Sequence, residues 1–401
     1  MVSLDLLKSL SLVSPTKIIL LVIDGLGGLP RPETGKTELE TAKTPNLDRL
    51  AASGVCGLSD PVGPGITPGS SPAHMALFGY DPVVSNIGRG VLEIVGIDFD
   101  LQPGDVVARG NFCTADKTGL VADRRAGRIP SEKCVELCRL LDGLVIENVE
   151  ILVRPVREHR FAVVFRGEGL SSEVSDSDPQ QVGAPPKIVS ALAIKAARTA
   201  RIANQFVAQA EVILVGHFPA NMILLRGFSQ RPAWPTMGEI YKLTPAAVVS
   251  YPMYRGLARL VGMDVLSTGN GIEEEFRTLI QNYKKYDFFF LHIKGADAAG
   301  EDGDFDRKVA VIEQVDQAVT GLIRLQPDVI VVTGDHSTPA LLHAHSWHPV
   351  PVLLSSHWCR PDGVKEFSEL ACIDGGLGRL PATNIMSLVM AHALKLKKFG
   401  A

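Results

Sequence analysis

The chain has 401 residues, 46% of them hydrophobic and 21% charged, a composition typical of a soluble globular protein. This length is too great for one ordinary hydrophobic core and predicts two domains. The 40 lysines and arginines against 44 acidic residues give a net charge of −4. That balance offers no reason to expect nucleic acid or an anionic membrane as a partner.

No targeting or membrane segment is predicted. Asp5, Lys8 and Lys17 interrupt the apolar residues of the N-terminus, so we expect no secretory signal. No apolar stretch reaches the roughly 18 residues that a membrane-spanning helix needs. The expected location is therefore the cytoplasm, and the sequence leaves the oligomeric state open.

Three apolar runs have the length of a buried parallel strand and lead into an aspartate. Residues 17–23 end at Asp24, residues 287–293 are followed by Asp297, and residues 329–332 are followed by Asp335. Parallel sheets offer the carboxyl ends of their strands to ligands. One such aspartate could be a turn residue, but three predict that the strand ends converge on one edge of one sheet.

Between the first two runs, residues 44–54 are predicted to form a helix with Thr44 as N-cap and Gly54 at its end. A second helix is predicted to begin at Pro72, capped by Ser71, which places Ser70 just outside its N-terminus. The helix dipole and free N–H groups there favour an alkoxide or a phosphate group. A metal-bound serine would be an activated nucleophile, and an ordinary Ser/Gly/Pro turn is the alternative.

The middle of the chain differs in composition, with turns rich in Arg, Gly and Asp and a predicted helix near residues 188–208. Because the Asp-ended strands flank it, we predict an inserted α+β domain of residues 96–235. The remaining residues, 1–95 and 236–401, are predicted to form an α/β domain with a mostly parallel sheet flanked by helices. Residues 305–325 and 381–396 are its predicted later helices.

Four histidines lie within thirteen residues near the C-terminus, beside the aspartate that ends the third strand. They are His336, His343, His345 and His348. Aspartate and histidine together suit a divalent transition metal. The alternative is a polar turn with solvated histidines.

Several short motifs occur in one order along the chain: Val22-Ile23-Asp24-Gly25, Thr44-Pro45-Asn46-Leu47-Asp48, Ser70 with His74, Asp297, Thr333-Gly334-Asp335-His336-Ser337 and His345-Ser346-Trp347-His348-Pro349-Val350-Pro351. This order resembles the alkaline phosphatase superfamily of two-metal phosphoryl-transfer enzymes. More narrowly, residues 69–82, 109–112 and 123–128 resemble the archaeal-type cofactor-independent phosphoglycerate mutases. The resemblance covers nearly the whole chain.

The resemblance implies an alkaline-phosphatase-like fold with two divalent metal ions and no 2,3-bisphosphoglycerate. Manganese is the expected metal, with magnesium, zinc and cobalt as alternatives. One ion is expected at Asp24, Ser70 Oγ, Asp335 and His336.

The second ion is expected at Asp297, at His345 and at a third ligand four residues after Asp297. The family pattern often has histidine there, whereas this chain has Glu301. A carboxylate can still bind a metal, which would give a harder site. The alternatives are a solvated Glu301 with a weakened site, or ligation by Asp302 or Asp304.

The substrates implied by the resemblance are 3-phosphoglycerate and 2-phosphoglycerate, whose carboxylate and phosphate groups both suit arginine forks. The candidate substrate-binding arginines of the insertion are Arg109, Arg124, Arg125, Arg128 and Arg160. Of these, Arg124 is also a catalytic candidate. Asp123 is expected either to transfer a proton or to pair with an arginine. His74 is a further candidate contact, with a structural role as its alternative, and Lys242 is a candidate phosphate contact.

The predicted reaction runs through a phosphoserine. Ser70 takes the phosphoryl group from one hydroxyl of phosphoglycerate, and the bound glycerate reorients and receives it on the neighbouring hydroxyl. An inserted domain that closes over the site would exclude water during that interval. The alternatives are a metal-dependent phosphomonoesterase or other phosphomutase with the same metal core, and a non-catalytic metal-binding homologue.

Overall fold

The computed structural model describes residues 2–85, 87–97 and 99–400. The strands are β1 (Ile18–Ile23), β2 (Val55–Asp60), β3 (Val106–Ala115), β4 (Val121–Asp123), β5 (Leu144–Ile146), β6 (Val149–Arg157), β7 (Arg160–Arg166), β8 (Met222–Gln230), β9 (Pro245–Val248), β10 (Asp264–Leu266), β11 (Phe288–Ile293), β12 (Val329–Thr333), β13 (Val350–Ser356) and β14 (Gly378–Pro381).

The α-helices are α1 (Leu4–Leu10), α2 (Glu38–Thr41), α3 (Pro45–Ser53), α4 (Ser70–Leu77), α5 (Arg89–Gly96), α6 (Ser131–Leu141), α7 (Ala197–Leu214), α8 (Met237–Tyr241), α9 (Pro252–Leu260), α10 (Ile272–Asn282), α11 (Gly295–Glu301), α12 (Phe305–Arg324), α13 (Glu369–Ile373) and α14 (Ile385–His392). Short 3₁₀ turns occupy Ala126–Arg128, Ile194–Ala196 and Ala382–Asn384. Within the described ranges, no helix combines the length and the apolar character that crossing a bilayer would take.

The chain divides into two compact units, Met1–Asn86 with Trp234–Ala401, and Ile87–Ala233. The predicted boundaries lay at 95/96 and 235/236. The first differs because α5 packs on β3 and β8, strands of the second unit, so that unit begins earlier in the chain.

The first unit contains an eight-stranded sheet of order β10-β9-β11-β1-β12-β13-β2-β14. The run from β10 to β12 is parallel, and only β13 is antiparallel to its neighbours. Strands β1, β11 and β12 are buried along their whole length, as expected for apolar strands covered on both faces. The predicted mostly parallel sheet is therefore confirmed, and the three Asp-ended strands are neighbours with β1 in the middle.

Helices α3, α10 and α12 pack on this sheet through apolar positions at helical spacing. Helix α12 matches its prediction to within a residue and buries Ile312, Val315, Val319 and Leu322. The predicted closing helix of residues 381–396 is shorter than expected. It begins with a 3₁₀ turn after Pro381 and ends before Leu394, whose φ of +53° is incompatible with a right-handed helix.

The second unit contains a six-stranded sheet in which β3 pairs with β4, β7 and β8, and β7 continues to β6 and β5. Its pairings are antiparallel. Helices α6 and α7 bury Cys134, Leu137 and Phe206 in its core, with Phe161 and Phe165 from β7. The helix predicted at 188–208 lies at Ala197–Leu214 instead, because residues up to Ala193 run extended beside Val174.

Candidate metal centre and arginine cavity

The three strand ends bring two sets of potential metal ligands together in the first unit. Asp24 follows β1, Asp335 and His336 follow β12, and Asp297 lies in the first turn of α11 after β11. The ligand atoms of Asp24, Asp335 and His336 lie within 4.8 Å of one another, and so do those of Asp297, His336 and His345. We call these the first and second ligand groups. They share His336.

The first ligand group contains buried oxygen atoms that protein groups leave unsatisfied. Asp24 Oδ1 and Asp335 Oδ2 accept no hydrogen bond from the described residues, although His336 Nε2 lies 3.4 and 3.1 Å from them, respectively. Such atoms are costly unless a cation or water binds them. Because carboxylate and imidazole are good ligands for divalent transition metals, the residues present fit a metal ion.

The pKa values of Asp24 and Asp335, the two carboxyl groups of the first ligand group, are shifted in opposite directions. Burial opposes ionisation of Asp24, but the neighbouring His292, His336 and Lys294 hold its pKa well below the usual range. Burial and the charge of Asp24 raise the pKa of Asp335 well above its usual value. Burial also lowers the pKa of His336, so that imidazole is neutral and can offer a lone pair to a metal.

The backbone after β1 lies very close to the segments that follow β11 and β12. Gly25 has a φ of +71°, and a Cβ there would lie 2.7 Å from Thr338 Oγ1 and 2.8 Å from Asp297 Cα. Only glycine fits this position without displacing a neighbour. The Gly25 amide also donates to Asp335 Oδ1 at 3.2 Å.

Ser70 lies beside the shared histidine, with its Oγ 3.2 Å from His336 Nε2. The prediction that Ser71 caps a helix beginning at Pro72 was wrong. Gly69 is the N-cap and Ser70 is the first residue of α4, because Gly69 takes the extended conformation at the helix entry. The Ser70 hydroxyl is therefore carried on the first turn of a helix, where backbone N–H groups are free of helical partners.

His74 supports Ser70 from one turn further along α4. Its buried Nδ1 lies 2.8 Å from the Ser70 carbonyl oxygen and 3.3 Å from Asp335 Oδ2. Burial, together with the charge of His292, lowers the pKa of His74 to about 3. A neutral imidazole with its proton on Nδ1 would donate to the Ser70 carbonyl, which is a supporting role.

Glu301, at the end of α11, lies beside the second ligand group. Asp297 and Glu301 are four residues apart on one helix, and Glu301 Oε1 lies 3.7 Å from His345 Nε2. The alternative carboxylates are engaged elsewhere: Asp302 accepts from the guanidinium of Arg307, and Asp304 caps α12. Of the three carboxylates considered, Glu301 is the one beside His345.

The other late histidines and Lys242 lie apart from the ligand groups. His343 is exposed with a φ of +51°, and His348 Nδ1 lies 2.9 Å from Ser346 Oγ. His345 Nδ1 lies 3.0 Å from the Pro68 carbonyl oxygen, which ties this candidate ligand to the loop before Ser70. Lys242 ends α8 in the left-handed conformation, with an exposed side chain.

Three residues that the sequence analysis missed surround Asp24. Tyr254 donates to Asp24 Oδ2 at 2.6 Å, and His292 Nε2 lies 3.3 Å from the same oxygen. The Lys294 ammonium lies 3.1 Å from Asp24 Oδ2 and also contacts Asp297 Oδ2. Lys294 therefore brings a positive charge to both ligand groups. A signal was present for two of them, since His292 interrupts an apolar strand and Lys294 follows it.

The predicted arginines of the second unit line a two-lobed basic cavity. Lobes of about 330 and 240 Å³ share Arg125, His159 and Arg160. Arg128 and Arg157 line the larger lobe, and Arg109, Asn111, Arg124 and Arg226 line the smaller one. Burial, with the charge of Arg160, lowers the pKa of His159 to about 4, so this imidazole is neutral at pH 7. The sequence analysis missed His159, Asn111 and Arg226 as cavity residues.

Asp123 and Arg124 are both engaged within the second unit. Asp123 accepts the backbone N–H groups of Arg125 at 2.8 Å and Gly127 at 2.6 Å, which fixes the turn that carries the arginines. Burial opposes ionisation, but these two N–H groups hold the pKa of Asp123 below its usual value. The Arg124 guanidinium binds both carboxylate oxygens of Asp178, at 3.0 and 2.6 Å. Arg124 therefore lines the smaller lobe while paired with Asp178, and Asp123 holds the neighbouring turn in place.

Comparison with known proteins gives consistent results along the whole chain. The family model described as 2,3-bisphosphoglycerate-independent phosphoglycerate mutase matches residues 51–221. A Thermus thermophilus protein named probable 2,3-bisphosphoglycerate-independent phosphoglycerate mutase is 49% identical over 400 residues, 98% of each chain. A Thermotoga maritima protein with the same name is 48% identical over 387 residues, 96% of each chain.

Two solved structures are similar in fold. The PH0037 protein from Pyrococcus horikoshii has a TM-score of 0.81 at 31% identity, with 97% of this chain and all of that chain covered. The cofactor-independent phosphoglycerate mutase from Thermoplasma acidophilum has a TM-score of 0.78 at 32% identity, with 94% and 100% covered.

Proposed function

The chain belongs to the 2,3-bisphosphoglycerate-independent phosphoglycerate mutase family, and from that premise we propose how its residues interconvert 3-phosphoglycerate and 2-phosphoglycerate. The reaction is an isomerisation and needs no 2,3-bisphosphoglycerate. The observation that carries the proposal is the position of Ser70 Oγ, 3.2 Å from the histidine shared by both ligand groups.

In the proposed cycle Ser70 is the nucleophile. Its oxygen attacks the phosphorus of 3-phosphoglycerate, the bond from phosphorus to the 3-oxygen breaks, and that oxygen takes up a proton. The glycerate then turns within the site, and its 2-hydroxyl attacks phospho-Ser70, releases the serine and loses its proton. The same steps in reverse serve the opposite direction.

Two divalent ions would be held by Asp24, Ser70, Asp335 and His336, and by Asp297, Glu301 and His345. When bound, they would favour the alkoxide form of Ser70 and screen its repulsion from the anionic phosphoryl group. Manganese is the proposed metal, because five of these protein ligands offer oxygen and two offer nitrogen.

The residues around the ligands have supporting roles in the proposal. His74 Nδ1 lies 2.8 Å from the Ser70 carbonyl oxygen and 3.3 Å from Asp335 Oδ2, so it packs between the nucleophile and one ligand. Tyr254 fixes Asp24 by a hydrogen bond. Lys294, which contacts both ligand groups, adds a cation suited to the phosphoryl oxygens.

The arginine cavity of the second unit is the proposed binding site for the anionic groups of phosphoglycerate. Arginine forks bind carboxylate and phosphate groups in pairs of hydrogen bonds. Arg125 and Arg160 belong to both lobes and are the strongest candidates, whereas Arg124 is already paired with Asp178. The lid role of this unit and the cytoplasmic location stay predictions.

The proposal is tested by measuring two products with one metal-loaded preparation. Enolase-coupled formation of 2-phosphoglycerate reports isomerisation, and release of inorganic phosphate reports hydrolysis. We expect isomerisation to exceed hydrolysis and Ser70→Ala to abolish both, while Ser71→Ala keeps most of the activity. Phosphate release without isomerisation would identify a phosphomonoesterase instead, and full activity of Ser70→Ala would remove the proposed nucleophile.

A further inference from the structure

The side chain of Thr338 lies between the two ligand groups. Its Oγ1 is 2.7 Å from Asp297 Oδ1, which belongs to the second group. It is also 2.9 Å from Nδ1 of His336, which belongs to both groups. Thr338 is fully buried, so water does not compete for these contacts.

The direction of these hydrogen bonds follows from the chemistry of the partners. The Asp297 carboxylate, which contacts the Lys294 ammonium, only accepts, so the single hydroxyl proton of Thr338 is donated to it. The hydroxyl oxygen must then accept from His336, which places the imidazole proton on Nδ1. His336 Nε2 is left with a lone pair, and it lies 3.2 Å from Ser70 Oγ.

The backbone of Thr338 is held as firmly as its side chain. Its N–H donates to the Gly27 carbonyl at 3.0 Å, and its carbonyl accepts from the Lys308 ammonium at 2.9 Å. Lys308 is fully buried and also donates to the Gly27 carbonyl at 2.9 Å. The hydroxyl therefore has little freedom to move away from its two partners.

We propose that Thr338 is a positioning residue that couples the two ligand groups, because one hydroxyl sets the tautomer of His336 and the orientation of Asp297. The inference rests on the proposed two-metal function. It predicts that loss of this hydroxyl weakens metal binding at both groups, although Thr338 itself is not a ligand. Groups beyond the ligands commonly change metal affinity by about 10- to 100-fold when removed.

The first test is calorimetric titration of the full-length chain with Mn²⁺. Thr338→Val keeps the side-chain shape and removes the hydroxyl, whereas Thr338→Ser keeps the hydroxyl as the matched control. We expect Thr338→Val to lose about tenfold or more in affinity at both sites. Thr338→Ser should stay close to wild type. Equal Mn²⁺ affinity of Thr338→Val and wild type would overturn the coupling while leaving the metal centre intact.

The second test measures the wild type and uses a variant only to assign one signal. Long-range ¹H–¹⁵N correlation spectra of histidine-labelled, metal-free wild type report which ring nitrogen carries the proton, and His336→Gln identifies the signal. We expect the proton of His336 on Nδ1. A proton on Nε2 would overturn the inference. A wild type that shows the Nδ1 proton yet binds no Mn²⁺ would instead contradict the proposed metal centre, and with it the coupling of metal sites.

Discussion

Replacement of Lys308 by methionine is expected to destabilise the first unit severely. The ammonium is fully buried on α12, donates to the carbonyls of Gly27 and Thr338 at 2.9 Å each, and lies 3.7 Å from Glu38 Oε1. Glu38 is itself fully buried, and its Oε1 accepts from the Ala340 amide. Methionine fills a similar volume but removes the ammonium. The Gly27 carbonyl keeps the Thr338 N–H and Glu38 Oε1 keeps the Ala340 amide, whereas the Thr338 carbonyl loses its lysine donor and Glu38 loses its counter-ion.

The magnitude follows from these lost partners. A buried carbonyl that loses its donor, as the Thr338 carbonyl does, costs about 1–3 kcal/mol. Breaking a buried ion pair from one side costs about 3–5 kcal/mol in measured cases, a range that already includes part of the lost hydrogen bonding. We therefore expect Lys308→Met to lower the free energy of unfolding by about 3–5 kcal/mol. Adding Glu38→Gln removes the stranded charge and should recover part of that loss.

Tryptophan fluorescence during urea unfolding measures this effect selectively. The chain has three tryptophans, Trp234, Trp347 and Trp358, and all belong to the first unit. Arg324→Met, at the exposed end of the same helix, is the control and should change stability by no more than about 0.5 kcal/mol. If Lys308→Met lowers the free energy of unfolding by less than about 1 kcal/mol, the reasoning is refuted, because removal of one partner of a buried ion pair should cost more than that.

Further predictions concern pH, the metal and the substrate. Burial raises the pKa of Glu275 from 4.5 to about 7, so the folded chain holds this proton more tightly than the unfolded chain, and stability falls as pH rises from about 4.5 to 7. Glu275→Gln should remove up to about 3 kcal/mol of this pH-dependent loss of stability. The melting temperature of the variant should exceed that of wild type at pH 7.5 but not at pH 4.5. Melting temperatures that change in parallel with pH for the two proteins would contradict the prediction. Glu301→Ala should reduce the number of Mn²⁺ ions bound per chain from two towards one, whereas Asp302→Ala should leave it at two. The reverse result would show that Asp302, and not Glu301, is the ligand. Arg160→Met should raise KM for phosphoglycerate about tenfold or more without changing Mn²⁺ affinity, and an unchanged KM would exclude the cavity as the substrate site.

The strand ends were predictable because their physics is local. A short apolar run bounded by an aspartate indicates a buried parallel strand, and parallel strands deliver their carboxyl ends to one edge. The convergence of Asp24, Asp297 and Asp335 on one sheet edge was therefore predicted from sequence spacing alone. The order of the three strands was not predicted, because nothing in the sequence places β1 between β11 and β12.

The positions that the sequence did not reveal depend on tertiary contacts. Lys308 lies in an amphipathic helix where a charged residue normally faces solvent, and only the packed structure shows that it is buried. The start of α4 depends on the extended conformation of Gly69, which competes with Ser71 as a cap. The helix predicted at 188–208 was misplaced because residues before Ile194 pair with an extended segment near Val174.

The role of Ser70 is the central claim, and the most direct measurement is mass spectrometry of the acid-quenched enzyme. Metal-loaded wild type is mixed with phosphoglycerate, stopped within one turnover and digested. We predict one added phosphoryl group on the peptide that contains Ser70, lost again when the mixture is allowed to reach equilibrium and substrate is removed. A competent enzyme whose Ser70 peptide never carries phosphate, or carries it on another residue, would contradict the account.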